Sequence, residues 1–302
     1  MKIWQGALYT LVLIVLLAGV HFWVGWDHIG QAWLTLGWQA GVAAVGLLLL
    51  SYYVRALRIF YYFHHQAPMT QSACHKLVLN HTAWNNFLPM RSGELAYPLL
   101  MKRYFQVDYS RSMASLLWLR LMDLHTLVLC GLALVWTLWP SLWGWGVWGL
   151  IAGIPLLSFA LKNALRQFNQ ARWDWLETAL DGLPHQWALL LKLWGLTWLN
   201  WGFKLGLFVF LIHSMSGLAL TQALAAALGG ELSSVLPVHG FGGFGTYEAG
   251  MLAPLLWLEV DPRQLTATAI NVHLLILGAS VAGWLIAQTL TVNTHSLRHN
   301  QK

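Results

Sequence analysis

The sequence predicts an all-α, polytopic integral membrane protein, and three observations predict it. Of the 302 residues, 58% are hydrophobic and only 9% charged, against roughly 25% charged in an ordinary soluble domain. Such a chain has too little polar surface to dissolve in water. Apolar runs near the ~20 residues needed to cross hydrocarbon recur along its length. Tryptophan occurs 20 times. Trp23, Trp26, Trp139, Trp143 and Trp145 cluster at the ends of apolar runs, where an amphipathic ring rests at headgroup level.

Six runs are read as full spans: 6–26, 36–54, 113–138, 143–161, 188–213 and 266–290. The first follows Lys2 and resembles a signal peptide, but it is long for one and lacks a small-x-small cleavage site, so it is kept as a helix. Two further apolar regions are interrupted. The first is 74–88, a break at 89–93 containing Pro89 and Gly93, then 94–104. The second is 218–236, a glycine-rich break at 237–245, then 246–258. Proline and glycine at such places favour a helix that enters, turns inside the protein and leaves by the same side. Two re-entrant hairpins are therefore expected, although the arm 218–236 is long enough to span alone. The longest polar interval, 162–186, reads as an amphipathic connector on the cytoplasmic face. The whole chain, 1–302, is expected to be one membrane domain.

Charge placement orients this map. With the amino terminus inside, the cytoplasmic flanks hold 13 of the 17 basic residues, among them Arg55, Arg58, Lys76, Lys102, Arg111 and Lys192, while the opposite side holds Arg263 alone. Positive residues concentrate on the cytoplasmic side, which places both termini there and the protein in the cell's inner membrane. The net charge of +6 is then a topology signal, and no nucleic-acid partner is expected. The two cysteines, Cys74 and Cys130, have neither disulfide-framework nor zinc-site spacing. His81, His125, His213, His239 and His273 are scattered, so no metal and no cofactor is expected, and these residues read as polar packing groups.

The two broken segments share a pattern. Phe87-Leu88-Pro89 precedes Gly93-Glu94, and Val235-Leu236-Pro237 precedes Gly245-Thr246-Tyr247-Glu248. Asp108 follows Glu94 by 14 positions and Asp261 follows Glu248 by 13; Arg120 and His273 each lie 12 positions past their aspartate. An inverted repeat with halves 36–138 and 188–290 follows, because three full spans separate the hairpins. Interrupted segments at matching places in inverted halves point to a transporter's binding site.

Charges inside a bilayer cost about 2.5–3.5 kcal/mol each on insertion scales and need a partner or a wet cavity. The candidates are Arg91, Glu94, Arg120, Asp123, Lys204, Glu231 and Glu248. Arg120 and Asp123 lie three apart on one helix and can touch, as a structural ion pair or as part of a site. Glu94, with Asn85 and Asn86 before the break, either caps the turn or contacts a ligand. The run with Gly242, Gly243 and Gly245 either cradles an anion on backbone amides or provides a flexible turn. Lys204 either snorkels or pairs with Glu231. Together these residues describe a mixed-charge cavity for a phosphate-sized anion.

The motifs Asn85-Asn86-Phe87-Leu88-Pro89-x-Arg91-x-Gly93-Glu94, Arg120-x-x-Asp123 and Gly242-Gly243-Phe244-Gly245-Thr246-Tyr247-Glu248 resemble the membrane region of the lysylphosphatidylglycerol synthase/flippase family. The resemblance runs from about residue 47 to residue 290. It implies a flippase for an anionic or aminoacylated lipid headgroup, with a membrane lipid as partner and a lipid-synthesis enzyme as a further possible one. Aminoacyl transfer in that family belongs to a separate soluble domain, for which these residues leave no room, so that activity is expected to be absent. The second motif commonly has an arginine before its glutamate. Tyr247 stands there instead, which removes one cation and leaves the lipid open. Competing readings are a membrane-embedded transferase acting on lipid-linked substrates, with Glu94 or Asp123 as general base, and a scaffold for a lipid-synthesis enzyme.

Overall fold

A computed structural model describes residues 18, 21–22, 25–155, 184, 186–234, 241–259 and 263–292. The described residues are helical, with no strand among them. We number the helices α1 (Trp26–Leu36), α2 (Trp38–Phe63), α3 (Gln71–Phe87), α4 (Ala96–Phe105), α5 (Tyr109–Leu138), α6 (Leu142–Ala152), α7 (Trp187–Ser216), α8 (Leu220–Ser233), α9 (Thr246–Trp257) and α10 (Arg263–Thr289). Turns of 3-10 helix cover Pro89–Leu95 and Phe241–Gly243.

Four helices are long and apolar enough to span: α2, α5, α7 and, from Leu265, α10. At 1.5 Å per residue, the 26 to 30 residues of α2, α5 and α7 reach about 39 to 45 Å, beyond the ~30 Å hydrocarbon core. Only 33 to 50% of each apolar window is buried within the protein. The remainder faces outward, as lipid contact requires. Trp143, Trp257, Leu34, Leu150 and Trp38 are each more than 70% exposed. Trp26, Trp139 and Trp145 are exposed as well, in keeping with their placement as interfacial rings. Of the other expected spans, 6–26 lies almost wholly outside the described residues, and 143–161 is described only as far as residue 155. The connector 162–186 also lies outside them, except for Pro184 and Gln186.

Both interrupted regions break where expected. In the first, α3 ends at Phe87 and Pro89, which has no N–H to donate, opens a 3-10 turn that runs to Leu95. The turn is two residues longer than the predicted break, so Glu94 lies inside it and α4 begins at Ala96. Gly93 is required there because a Cβ would collide with the Trp84–Asn85 backbone. In the second, Gly242, Gly243 and Gly245 have φ of 61°, 82° and 83°, a region open to glycine at no steric cost. The preceding arm is shorter than the apolar run suggests. Helix α8 has 14 residues, about 21 Å of rise, too short to span. The run 218–236 counted apolar residues, whereas Ala219 and Leu220 mark the helix start and Ser234 its C-cap.

The α8–α9 pair packs through small residues. Gly229 lies against the Gly250 carbonyl and Gly250 against the Ser233 side chain, leaving no room for a Cβ at either. Pro254 within α9 has no N–H for that Gly250 carbonyl, so the freed oxygen faces the neighbouring glycine. Close backbone approach through small residues is the usual packing mode inside membranes.

The chain divides into two compact units that interleave along the sequence. Unit 1 comprises Met1–Leu47, Asn86–Arg91 and Leu205–Ala279, and unit 2 comprises Leu48–Asn85, Ser92–Lys204 and Ser280–Lys302. Within unit 1, Trp33 of α1 donates from Nε1 to Asn271 Oδ1 of α10 at 3.1 Å. Within unit 2, Lys76 of α3 donates to the Leu290 carbonyl at 2.6 Å, satisfying an oxygen at the end of α10 that has no partner inside the helix.

Candidate functional site

Each unit contains a buried cluster of ionisable side chains, and most of the predicted site residues fall in one or the other.

In unit 2 the cluster is built on α5. One turn separates Arg120 from Asp123, so both side chains project to the same side. They make only a loose contact, 4.0 Å between Arg120 Nη1 and Asp123 Oδ2, because each has a closer partner. Arg120 Nη2 donates to Glu94 Oε1 at 2.5 Å, and Asp123 Oδ1 accepts from Arg58 Nη1 at 2.7 Å. The same Asp123 oxygen accepts from Trp201 Nε1 at 3.0 Å, and Arg58 Nη2 donates to the Leu119 carbonyl at 3.0 Å. His81 Nε2 lies 3.6 Å from Glu94 Oε2. Glu94 thus faces a guanidinium and an imidazole.

This cluster borders a small recess lined by Arg55, Arg58, His81, Thr82, Tyr97, Arg120 and Asp123, together with Ile59, Val78, Leu116 and Leu119. Buried donors there have no hydrogen-bond partner among the described residues: Arg58 Nε, Arg120 Nε and Thr82 Oγ1. Native proteins rarely leave such groups unsatisfied, and each exception asks for an explanation. A ligand that accepts hydrogen bonds is one. Asn85 Oδ1, at the end of α3, is likewise buried without a partner.

In unit 1 the cluster is built on the Gly-rich turn and α10. Glu248, in the first turn of α9, accepts from the Gly245 N–H at Oε2, 2.7 Å, and lies 2.6 Å from His273 Nδ1 at Oε1. The other ring nitrogen of His273 is 2.9 Å from the Gly242 carbonyl. The ring also lies beside Tyr247 and Phe244, with centroids 4.9 and 4.6 Å away. Tyr247 donates to Glu231 Oε1 of α8 at 3.2 Å, and Glu231 is 1% exposed. Gly242 and Gly243 are buried and Gly245 is exposed. One amide of the glycine run is therefore already engaged by Glu248. Asn86 belongs to this unit, and its carbonyl lies 3.9 Å from where a Cβ on Gly242 would sit.

Of the remaining predicted residues, Arg91 lies on the backbone of the 3-10 turn, and its side chain falls outside the described residues. Lys204 sits with Nζ 5.2 Å from the centre of the Trp201 ring.

The most important addition to the predicted site is Arg58. Its position past the apolar run 36–54 places it, on sequence alone, among the cytoplasmic flanking charges. Helix α2 continues to Phe63, and Arg58 is 2% exposed. The apolar stretch Ile59-Phe60-Tyr61-Tyr62-Phe63 directly after it is the signal that it lies inside the helix rather than at its end. Arg55, one turn earlier, joins it at the recess. His81 and His273, read as packing groups, each face a carboxylate. For His273 the signal was present in its spacing from Asp261, which matches that of Arg120 from Asp108.

Comparison with known families finds one model that matches, described as "Lysylphosphatidylglycerol synthase TM region", over residues 8–283. No curated protein and no solved structure gives a significant match.

Proposed function

Since residues 8–283 make this chain a member of the lysylphosphatidylglycerol synthase transmembrane-region family, we propose that it is a lipid translocase. In this reading it moves an anionic or aminoacylated lipid headgroup across the cytoplasmic membrane without chemical change, with both termini on the cytoplasmic side. It is a helical membrane protein of a lipid-modifying and flippase family; translocation is the step proposed.

The observation that carries the reading is the recess in unit 2. A phosphate-sized anion cannot enter hydrocarbon unaided, since the idealised desolvation cost is of order 20 kcal/mol. The recess presents Arg55, Arg58 and Arg120, with guanidinium donors still unpartnered on the last two. Guanidinium forks match the oxygens of a phosphodiester, so they replace lost water while the acyl chains stay in lipid. Asp123 and Glu94 hold two of the arginines in place through their contacts at 2.7 and 2.5 Å.

The inverted-repeat reading supports alternating access. Each break carries a carboxylate, within or just after its turn, that meets a basic side chain on the next long helix, Glu94 with Arg120 and Glu248 with His273. Both second arms are followed by a non-glycine residue at positive φ, Gln106 at 59° and Glu259 at 55°.

The test is reconstitution into liposomes with headgroup-labelled phosphatidylglycerol. Wild-type protein is expected to move the label between leaflets without altering the lipid, and Arg120→Ala to stop the movement while the protein remains folded. Unchanged movement in Arg120→Ala removes the recess from the mechanism. A chemically modified lipid product favours the transferase reading instead.

A further inference from the structure

The cluster in unit 1 holds an ionisable pair that anion binding does not use. His273 is 4% exposed, and both its ring nitrogens face oxygen, Glu248 Oε1 at 2.6 Å and the Gly242 carbonyl at 2.9 Å. A backbone carbonyl and an ionised carboxylate only accept hydrogen bonds. Both contacts are hydrogen bonds only when the pair holds one proton more than a carboxylate beside a neutral imidazole. With the proton on the ring the pair is imidazolium and carboxylate; with it on Glu248 both groups are neutral. Either way the pair as a whole is uncharged.

The groups around the pair add no fixed positive charge among the described residues. From α9 it faces Tyr247, from the turn Phe244 and the Gly242 carbonyl, and from α8, through the Tyr247 hydroxyl, Glu231. On α10 itself, no other ionisable residue follows Arg263. Loss of the proton alone would therefore strand a carboxylate charge in a buried site, which is strongly unfavourable. Among the described residues, the proton leaves without that cost when another cation takes its place.

We propose that the Glu248–His273 pair is a proton-for-ammonium exchange site, at which the primary ammonium of a lipid headgroup binds Glu248 as one proton departs. In the step, the ammonium forms a charge-assisted hydrogen bond to Glu248 Oε1. The bond between His273 Nδ1 and its hydrogen breaks, and the proton passes to water. The neutral ring keeps its N–H at Nε2 on the Gly242 carbonyl. One positive charge enters and one leaves, so the site stays neutral. The counterpart pair in unit 2 cannot do this, because the Arg120 guanidinium does not deprotonate in proteins. Coupling to protons is thereby assigned to the second break, and its stoichiometry to one proton per headgroup. The transport part of this inference rests on the translocase reading; the exchange itself does not.

Two measurements on the full chain test it. The first is proton release in weakly buffered detergent solution, followed with a pH-sensitive dye, on adding short-chain phosphatidylethanolamine or lysyl-phosphatidylglycerol. Wild type is expected to release close to one proton per bound amine lipid, and phosphatidylglycerol, which has no ammonium, to release none. His273→Arg, which keeps a cation that does not titrate, is expected to abolish release, and His273→Gln serves the same purpose if the arginine does not fit. No release with either amine lipid, or equal release in both variants, overturns the exchange site. The second measurement is the transbilayer distribution of an amine lipid in proteoliposomes carrying a pH gradient. One-for-one exchange drives about a tenfold asymmetry per pH unit, and both variants leave the lipid evenly distributed. Proton release without any lipid movement leaves the exchange site standing and sinks the translocase reading instead.

Discussion

The two broken helices carry a similar pairing of a carboxylate with a basic side chain, built from different residues. Within the first break, Glu94 meets Arg120 at 2.5 Å, and Arg120 stands beside a second pair, Asp123 with Arg58. After the second, Glu248 meets His273 at 2.6 Å, with no arginine among the described residues of that cluster. The turns differ accordingly. The first is a 3-10 helix set by Pro89 and by one glycine that must lie against the Trp84–Asn85 backbone; the second uses three glycines at positive φ. One break is thus a firmly packed turn beside permanent charge, the other a permissive turn beside a titratable pair.

The largest expected effect tests whether both pairs are needed. Glu248→Ala, like Arg120→Ala, should abolish lipid movement in reconstituted vesicles while the protein remains folded in detergent. Movement surviving in Glu248→Ala alone would reduce the second pair to a cap for α9, a role its bond to the Gly245 N–H already fits.

Next in size is a stability difference between the clusters. Removing one partner of a buried ion pair costs about 3–5 kcal/mol, so Arg58→Ala should lower the thermal midpoint in detergent sharply, and removal of Asp123 with it should recover part of the loss. The same truncation at the half-buried Lys102, whose contact with Asp108 is exposed, should change stability by less than about 1 kcal/mol. Equal shifts in the two variants would remove Arg58 from the core of unit 2.

The close packing of the second hairpin comes third. Gly250→Ala places a methyl group against Ser233 and the Gly229 carbonyl, an overpacking expected to cost about 1–3 kcal/mol, whereas Gly278→Ala meets nothing within 4 Å and should be tolerated. Thermal unfolding of the two variants side by side reads the difference.

The last test leaves energetics alone and asks whether the comparison is one of inverted halves. In a background lacking Cys74 and Cys130, single cysteines at Asp108 and Arg263 should react with an impermeant thiol reagent from opposite sides of the membrane. Labelling from the same side breaks the inverted relationship, whatever the pairs do.

Local composition and spacing determined a good deal. Apolar run length set the membrane class and the positions of α2, α5, α7 and α10, because spanning depends on summed hydrophobicity over about 20 residues and not on any particular partner. Proline and glycine marked both breaks, because they act on the backbone where they stand. The equal offsets of Arg120 and His273 from their aspartates marked the two as matching positions, but not their pairing with Glu94 and Glu248. What the sequence could not supply was the partner of each charge. Whether Asp123 is held by Arg120, three residues away, or by Arg58, 65 residues away, depends on how α2 lies against α5, and no local rule contains that. Similarly, an arginine at the end of an apolar run reads as a flank until a neighbouring carboxylate and an indole N–H make burial the lower-energy place for it. Hydrophobic periodicity is a property of one segment; ion pairing is a property of two, and only the packed chain brings the second to the first.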